Sequence, residues 1–441
     1  MNDFEQGVLH YNNKNYIEAK NCFINQLKLE PNNYVLHHNI GVTCIQLGLN
    51  QESLSYFDMP CKYNYADSYI SRGSAYRNLG RYEEALQDFA KTFLIDPYSA
   101  TAYSNYSNTL REFGKPDIAI DFIKIANRIK PDNTSLLNES ITYLTMGDFE
   151  EGWKKYNYRW FYETGESLKP NLPGSEYDGT QNIEGHIVLV YHEQGFGDCI
   201  QFARYITLLE QLNAKVILLS KPKLSSLMQY NYPNVNVITW GENIPEYHYH
   251  VALLDLPKCF NTTIDTIPNP NSYLRVDEGI RAYWKNILGP KTKLRVGLTW
   301  TSNGIAYNTK FRKMELSELV NVISHEYEFI NLHFDPSNEE KQLLEQYNVR
   351  NLNDQLGDFY STAGLISNLD CVITVDTVTA HLSGALGVPT FVMLPNYGCD
   401  WRWFLNRNDS PFYNCVKLFR KVNDNWDSVI QDLKLNLKFL D

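Results

Sequence analysis

A spacing recurs through the first third of the chain and limits what it can become. Gly7, Ala19, Phe23 and Pro31 follow one another at steps of 12, 4 and 8 residues. Gly73, Ala85, Phe89 and Pro97 repeat those steps, and so do Ser107, Ala119, Ile123 and Pro131, set 34 residues later. Gly41, Ser53 and Phe57 keep the first two steps in a unit two residues short (73 − 41 = 32), and that unit lacks the proline. A unit of this length cannot bury its own apolar face, so neighbouring units must stack. Small residues at the Gly and Ala positions let two helices approach closely, and the aromatic fills the gap between them. NLGRYEEAL (78–86) and EFGKPDIAI (112–120) mark the turns, and the prolines end the second helices.

With A-x3-F and the proline in place, these units resemble the tetratricopeptide repeat over 1–163, a divergent fifth unit including MGDFEEGWKKYNYRW (146–160). The resemblance implies an α-solenoid whose concave groove binds a protein or peptide, or else a spacer or oligomerisation surface.

The pattern then changes. Residues 164–185, rich in Pro, Gly, Asn and Glu, read as a linker. HIVLVY (186–191) is strand-like, DCIQFARYITLLEQL (198–212) helix-like, and AKVILLS, VNVITW and VALLDLP are further strands. The alternation restarts at LRVGLTWTS (294–302) and runs through helix 314–324, strand 327–334, helix 360–369, strand 370–376, helix 377–386 and strand 389–395 to a terminal helix within 425–440. This predicts two mostly parallel, Rossmann-like domains, at 186–290 and 291–441. Chemistry is then expected at the C-terminal ends of strands.

Two such ends stand out. HEQGFGD (192–198) places Glu193, Gln194, Gly195, Gly197 and Asp198 after the first strand of the first domain. VDTVTAHLSGALG (375–387) ends a buried strand at Asp376 and Thr377 and starts a helix at once. Thr377 or Asp376 can cap that helix, whose free N–H groups and partial positive charge suit a diphosphate. His381, one turn on, can add a proton or a hydrogen bond; it is equally compatible with a satisfied core histidine.

These motifs, with DWRWF (400–404) and SPFY (410–413), resemble tetratricopeptide repeats fused to a heptosyltransferase-like region of glycosyltransferase family nine type, a bacterial family. The resemblance implies a GT-B fold: two Rossmann-like domains, acceptor on the first and nucleotide sugar donor on the second. It makes Asp198 the expected general base, deprotonating an acceptor hydroxyl as it attacks the sugar C1. As the N-cap of the following helix, Asp198 would serve structure as well, and Glu193 is a rival base. The donor phosphates would meet Asp376, Thr377 and His381. Arg312 reads as a phosphate contact or an exposed arginine. Thr301 and Asn303 are placed on the loop beyond Trp300, facing the cleft. Trp401 and Trp403 either stack on a sugar or base or pack in the core.

The function expected is transfer of a sugar from a nucleoside diphosphate donor to a protein or glycan acceptor held by the repeats, with inversion implied by the resemblance. A non-catalytic repeat scaffold with a degenerate transferase half is the alternative, and a nucleotide-sugar epimerase a third. No cofactor is expected, the nucleotide sugar being a substrate. No metal is expected either: no Asp-x-Asp, HExxH or CxxC occurs among the motifs. A formal charge of −11 without a basic run argues against nucleic acid as a partner. The N-terminal residues show no basic-then-apolar leader, and no apolar run approaches a membrane span. With eight scattered cysteines, a cytoplasmic protein with reduced thiols is expected.

Overall fold

A computed structural model describes residues 1–161, 168–268, 271–301, 312–422 and 425–440. It divides into two compact units, Met1–Met146 with Lys155–Leu168, and Gly147–Lys154 with Lys169–Asp441.

The first unit is built of helix pairs: Asp3–Asn12 with Tyr16–Leu29, Tyr34–Gln46 with Asn50–Lys62, Ala66–Asn78 with Tyr82–Ile95, and Ala100–Glu112 with Pro116–Ile129, then Asn133–Met146. The spacing of the sequence has a direct cause. A Cβ added at Gly7, Gly41 or Gly73 would lie 2.6, 2.6 or 2.7 Å from the ring of Phe23, Phe57 or Phe89. Each phenylalanine ring of the second helix therefore sits directly against a bare backbone in the first. Where serine replaces glycine at position 107, isoleucine replaces phenylalanine at 123, and the Ser107 hydroxyl donates to the Ala119 carbonyl at 2.7 Å. The short second unit keeps its stack: its second helix runs on to Lys62 with Pro60 in the last turn.

The second unit holds two sheets. The first comprises β1 (Ser175–Glu176), β2 (Ile187–Tyr191), β3 (Lys215–Ser220), β4 (Asn236–Thr239) and β5 (Tyr249–Ala252), in the order β1-β5-β2-β3-β4, all parallel. The second comprises β6 (Leu294–Thr299), β7 (Tyr327–Asn331), β8 (Arg350–Asn351), β9 (Cys371–Val375), β10 (Thr390–Leu394), β11 (Asp409–Ser410) and β12 (Tyr413–Arg420). Its order is β11-β12-β10-β9-β6-β7-β8, parallel except for β11. Every residue of β9 and β10 is buried, which is why both read as unbroken apolar runs.

Several elements differ from expectation. Within the stretch expected as a linker, β1 pairs with β5, and Tyr177 and Ile183 are buried. The helix expected over 198–212 starts at Phe196 and is broken into Phe196–Phe202, a 3-10 turn and Ile206–Gln211. Strand β12 and the helix Asn338–Gln346 carry weak apolar periodicity; the helix buries only Leu344 and is set by a capping box from Ser337 and Glu340.

Candidate active site

The site begins at the C-terminal end of β2. The backbone turns through Gln194, which adopts a left-handed φ of 53°. Such a conformation in a side-chain-bearing residue costs of the order of 1 kcal/mol and marks a constrained bend. Gly195 is the N-cap of the helix Phe196–Phe202, and Asp198 reaches back so that its Oδ2 accepts the Gly195 amide at 2.9 Å. Asp198 is thus an N3 residue of this helix rather than its N-cap. Glu193 is buried, its carbonyl accepting the Cys199 thiol at 3.3 Å.

The second strand end, at β9, leads through Asp376 into the helix Val378–Ala385. Thr377 is the cap: its hydroxyl accepts the Thr379 amide at 3.2 Å. Asp376 does not cap. It is buried, and burial raises its carboxyl pKa against the lowering effect of Arg312. His381 is buried one turn on, with Nδ1 3.0 Å from the Tyr413 hydroxyl and its ring lying over Trp403 at 5.4 Å. Burial, reinforced by Arg402, pushes its pKa down to about 3. A ring held neutral in this way suits the hydrogen-bonding role of the two that the sequence left open.

These two helix starts, 178 positions apart in sequence for Asp198 and Asp376 (376 − 198), meet. A Cβ on Gly197 would stand 2.7 Å from His381 Cδ2. Glycine here lets one helix rest on the other. An ion-pair chain runs across the junction. Arg402 donates from Nη2 to Asp198 Oδ1 at 2.5 Å, from Nε to Gln201 Oε1 at 2.8 Å and from Nη1 to Asp400 Oδ1 at 2.9 Å. The other oxygen of Asp400 accepts Arg312 Nη2 at 3.2 Å, and Arg312 Nη1 lies 2.9 Å from Asp376 Oδ2. Burial would raise the Asp400 pKa, but Arg402 and Arg312 hold it well below the usual carboxylate range. Arg312 is accordingly not a free surface arginine.

Sequence reasoning missed Asp400, Arg402, Arg204 and Tyr413. DWRWF and SPFY carry three of them, but nothing in those strings shows that their charges face a helix two hundred residues earlier. Arg204 is fully buried, and among the described residues no carboxylate pairs with it. Its Nη1 donates to the Phe412 carbonyl at 2.7 Å, and its guanidinium lies 4.5 Å from the Tyr273 ring and 4.8 Å from that of Tyr413, which in turn holds His381. Thr301 is half-buried just beyond β6, and Asn303 lies outside the described residues. Trp401 and Trp403 pack in the core: Trp401 stands against Phe149, Trp153 and Phe412, and Trp403 against His381.

A groove of about 590 Å³ opens past the C-terminal ends of β7 and β8, lined by Phe334, Asp335, Asn351, Asn353, Asp354 and Leu356 among others. Phe334 is 57% exposed there, with Lys223 of the first sheet's half over its ring at 4.8 Å. A second hollow, of about 700 Å³, lies at the opposite ends of β6 and β7 beside Lys291, Lys293 and Lys438. Among the described residues no cluster of three or more His, Cys, Asp or Glu is disposed to hold a metal, and no helix is long and apolar enough to cross a membrane.

Known proteins echo both parts of the chain. Residues 66–98 match the tetratricopeptide repeat family. Protein FlbA of Caulobacter vibrioides is 24% identical over 380 residues, covering 79% of this chain and 62% of FlbA. The UDP-N-acetylglucosamine–peptide N-acetylglucosaminyltransferase of Giardia intestinalis is 32% identical over 81 residues, 18% of this chain and 6% of that one. The chain spans less than two thirds of the length of the curated relatives it matches. E. coli ADP-heptose LPS heptosyltransferase II aligns in structure with 15% identity and a TM-score of 0.41, covering 57% of this chain and 98% of that one. The chain joins helix pairs of the tetratricopeptide-repeat kind to an α/β region of two mostly parallel, Rossmann-like sheets.

Proposed function

We propose that the α/β region is an inverting glycosyltransferase that moves a sugar from a nucleoside diphosphate donor to a protein or glycan acceptor, the acceptor being held by the repeats. The observation that carries this reading is the meeting of the two strand-end motifs through Gly197 and His381. In parallel α/β sheets, ligands bind beyond strand C-terminal ends, and two such ends converge here. Asp198 would take the proton of an acceptor hydroxyl as that oxygen bonds to the sugar C1. The C1–O bond to the diphosphate breaks in the same step, and the nucleoside diphosphate leaves with the electron pair. Arg312 and the capped start of the Val378–Ala385 helix would steady its charge, with neutral His381 as a hydrogen-bonding partner and Thr301, just beyond β6, as a further contact. Charge neutralisation by guanidinium and helix end makes the reaction metal-independent on this reading. The groove beside Phe334 would seat the nucleoside, the ring stacking on the base and Asp335 or Asp354 meeting ribose hydroxyls. All eight cysteines are unpaired thiols, which suits a cytoplasmic protein supplied with nucleotide sugars.

One observation favours the scaffold alternative: Asp198 is already committed to Arg402 and to its own helix. The deciding experiment is a panel of nucleotide sugars incubated with wild type and Asp198→Asn, following released nucleoside diphosphate and sugar on acceptor. Release by wild type that falls at least 100-fold in the variant supports transfer. Binding without turnover under any acceptor condition supports the scaffold.

A further inference from the structure

The five-membered chain Asp198–Arg402–Asp400–Arg312–Asp376 does more than pin the two halves together. Its members are held unequally. Arg402 is 8% exposed and makes three aligned hydrogen bonds, to Asp198, Gln201 and Asp400. Arg312 is held less tightly: among the described residues its Nε has no hydrogen bond, its contact with Asp376 lacks hydrogen-bond alignment, and its bond to Asp400 is the longest of the five-membered chain at 3.2 Å. Asp400 is the shared joint, one oxygen on each guanidinium.

We propose that Arg402 and Asp400 are positioning residues that keep Asp198 engaged until the donor's diphosphate binds. This rests on the glycosyltransferase reading above. A diphosphate offers oxygens that guanidinium groups bind bidentately, in competition with carboxylates. The less tightly held Arg312 turns to it. Asp400, relieved of one partner, then draws Arg402 onto both of its oxygens, and Arg402 releases Asp198. The base becomes free only when there is a sugar to transfer, so donor binds before acceptor reacts. No bond is made or broken in this step; hydrogen bonds alone are exchanged.

The relay couples Asp198 to diphosphate affinity through Arg402, and a double-mutant cycle reads that coupling. UDP, GDP, ADP, CDP and dTDP, each alone, are titrated calorimetrically into the full chain as wild type, Asp198→Asn, Arg402→Gln and the double variant. Melting curves confirm that each is folded. Asp198→Asn leaves Arg402 free to satisfy Asp400, so the diphosphate is expected to bind about fivefold tighter or more. Arg402→Gln leaves Asp400 dependent on Arg312, so binding weakens by about as much. In the Arg402→Gln background, Asp198→Asn has no further effect. Simple removal of a repelling charge at Asp198 would tighten binding in both backgrounds, and that result overturns the relay, as does unchanged or weaker binding by Asp198→Asn. If none of the five binds any folded variant, the nucleotide-sugar reading itself fails and the relay falls with it. If Arg402→Gln does not fold, Arg402→Lys takes its place, and if Asp198→Asn does not fold, Asp198→Ser does, so that the same cycle is completed.

Discussion

The repeat unit and the α/β unit solve the same problem of close approach with contacts of different reach. In the repeats, Phe89 rests on Gly73, 16 positions away, and the arrangement recurs at Phe23 and Phe57. In the α/β unit, Tyr413 rests on Gly384, Trp284 on Gly364 and His381 on Gly197, 29 (413 − 384), 80 (364 − 284) and 184 (381 − 197) positions away. The first kind of contact recurs at one spacing; the second keeps no spacing from one instance to the next. Buried charge, by contrast, occurs in both. The α/β unit buries Arg204, Arg295, Arg402 and Asp376, and its counterpart buries Asp88 against Arg72, Glu139 against Lys155, and Arg159.

The comparison breaks most visibly at the repeats' aromatic. Phe89 is fully buried, so Phe89→Ala removes it for about 3–5 kcal/mol. The loss should stay local, since stacked repeats depend on nearest neighbours. Seven of the eight tryptophans, all but Trp160, lie in the α/β unit. Urea unfolding of the variant should therefore advance the circular dichroism transition and leave the tryptophan fluorescence transition within about 0.5 kcal/mol of wild type. Equal shifts in both would mean that the two units unfold as one.

Acid should act in the same sense on the two units, but more strongly on the α/β unit. His192 and His381 are each pushed down to about 3, chiefly by burial. A histidine near 6.5 when unfolded and near 3 when folded stabilises fully above about pH 6.5, and its contribution is lost as pH falls toward 3. Each should cost the α/β unit about 2 kcal/mol between pH 7 and pH 5. His38 in the repeats is also pushed down by burial, with Asp67 opposing, so that unit should respond in the same direction but less. Fluorescence-detected midpoints should thus fall faster with pH than dichroism-detected ones. His381→Gln should flatten the fluorescence profile by about half; a profile unchanged in that variant would show that the ring is charged in the native state.

How much of this was legible in the chain divides along the same line. The 12-4-8 spacing exposed the repeats because the Gly–Phe contact is short in sequence and repeated. Strands β2, β9 and β10 were legible as apolar runs because both their faces are covered. Asp198, Thr377 and His381 could be named from their place after strands. That Gly197 carries His381, or that Arg402 joins Asp198 to Asp400, was not legible, because nothing local records which helix a charged loop will face. Helix Asn338–Gln346 and strand β12 were missed for a different reason: their burial is too partial to impose a period.

Gly197→Ala tests the contact that sequence did not reveal. The new methyl would stand 2.7 Å from Cδ2 of the buried His381 ring, so ring or helix must shift. Overpacking of this kind costs about 1–3 kcal/mol. The same strain appears in the repeats if Gly73 becomes alanine, 2.7 Å from Phe89 Cε1. Only Gly197→Ala should also weaken nucleoside diphosphate binding, measured by calorimetry, because it alone parts the two strand ends.

The smallest effect separates the units most sharply. Asn33 caps Tyr34–Gln46, its side chain accepting the Val35 and Leu36 amides at 3.0 and 3.3 Å. Thr377 caps Val378–Ala385, accepting one amide at 3.2 Å. Loss of either cap, as Asn33→Ala or Thr377→Val, should cost about 1 kcal/mol, since each leaves one or two amides at a helix start without a side-chain acceptor. In denaturation the variants should look alike, each shifting the transition of its own unit. The two helix starts differ in what surrounds them. Asn33 is half-buried between exposed Asn32 and Tyr34, where water can take over its amides; Thr377 is 9% exposed and sits beside Asp376 and Arg312. If the Val378–Ala385 helix start serves a diphosphate, Thr377→Val should weaken nucleoside diphosphate binding about tenfold, while Asn33→Ala leaves it unchanged. Equal affinities for both variants would make the Thr377 cap as purely structural as that of Asn33, and would move the diphosphate to Arg312 alone.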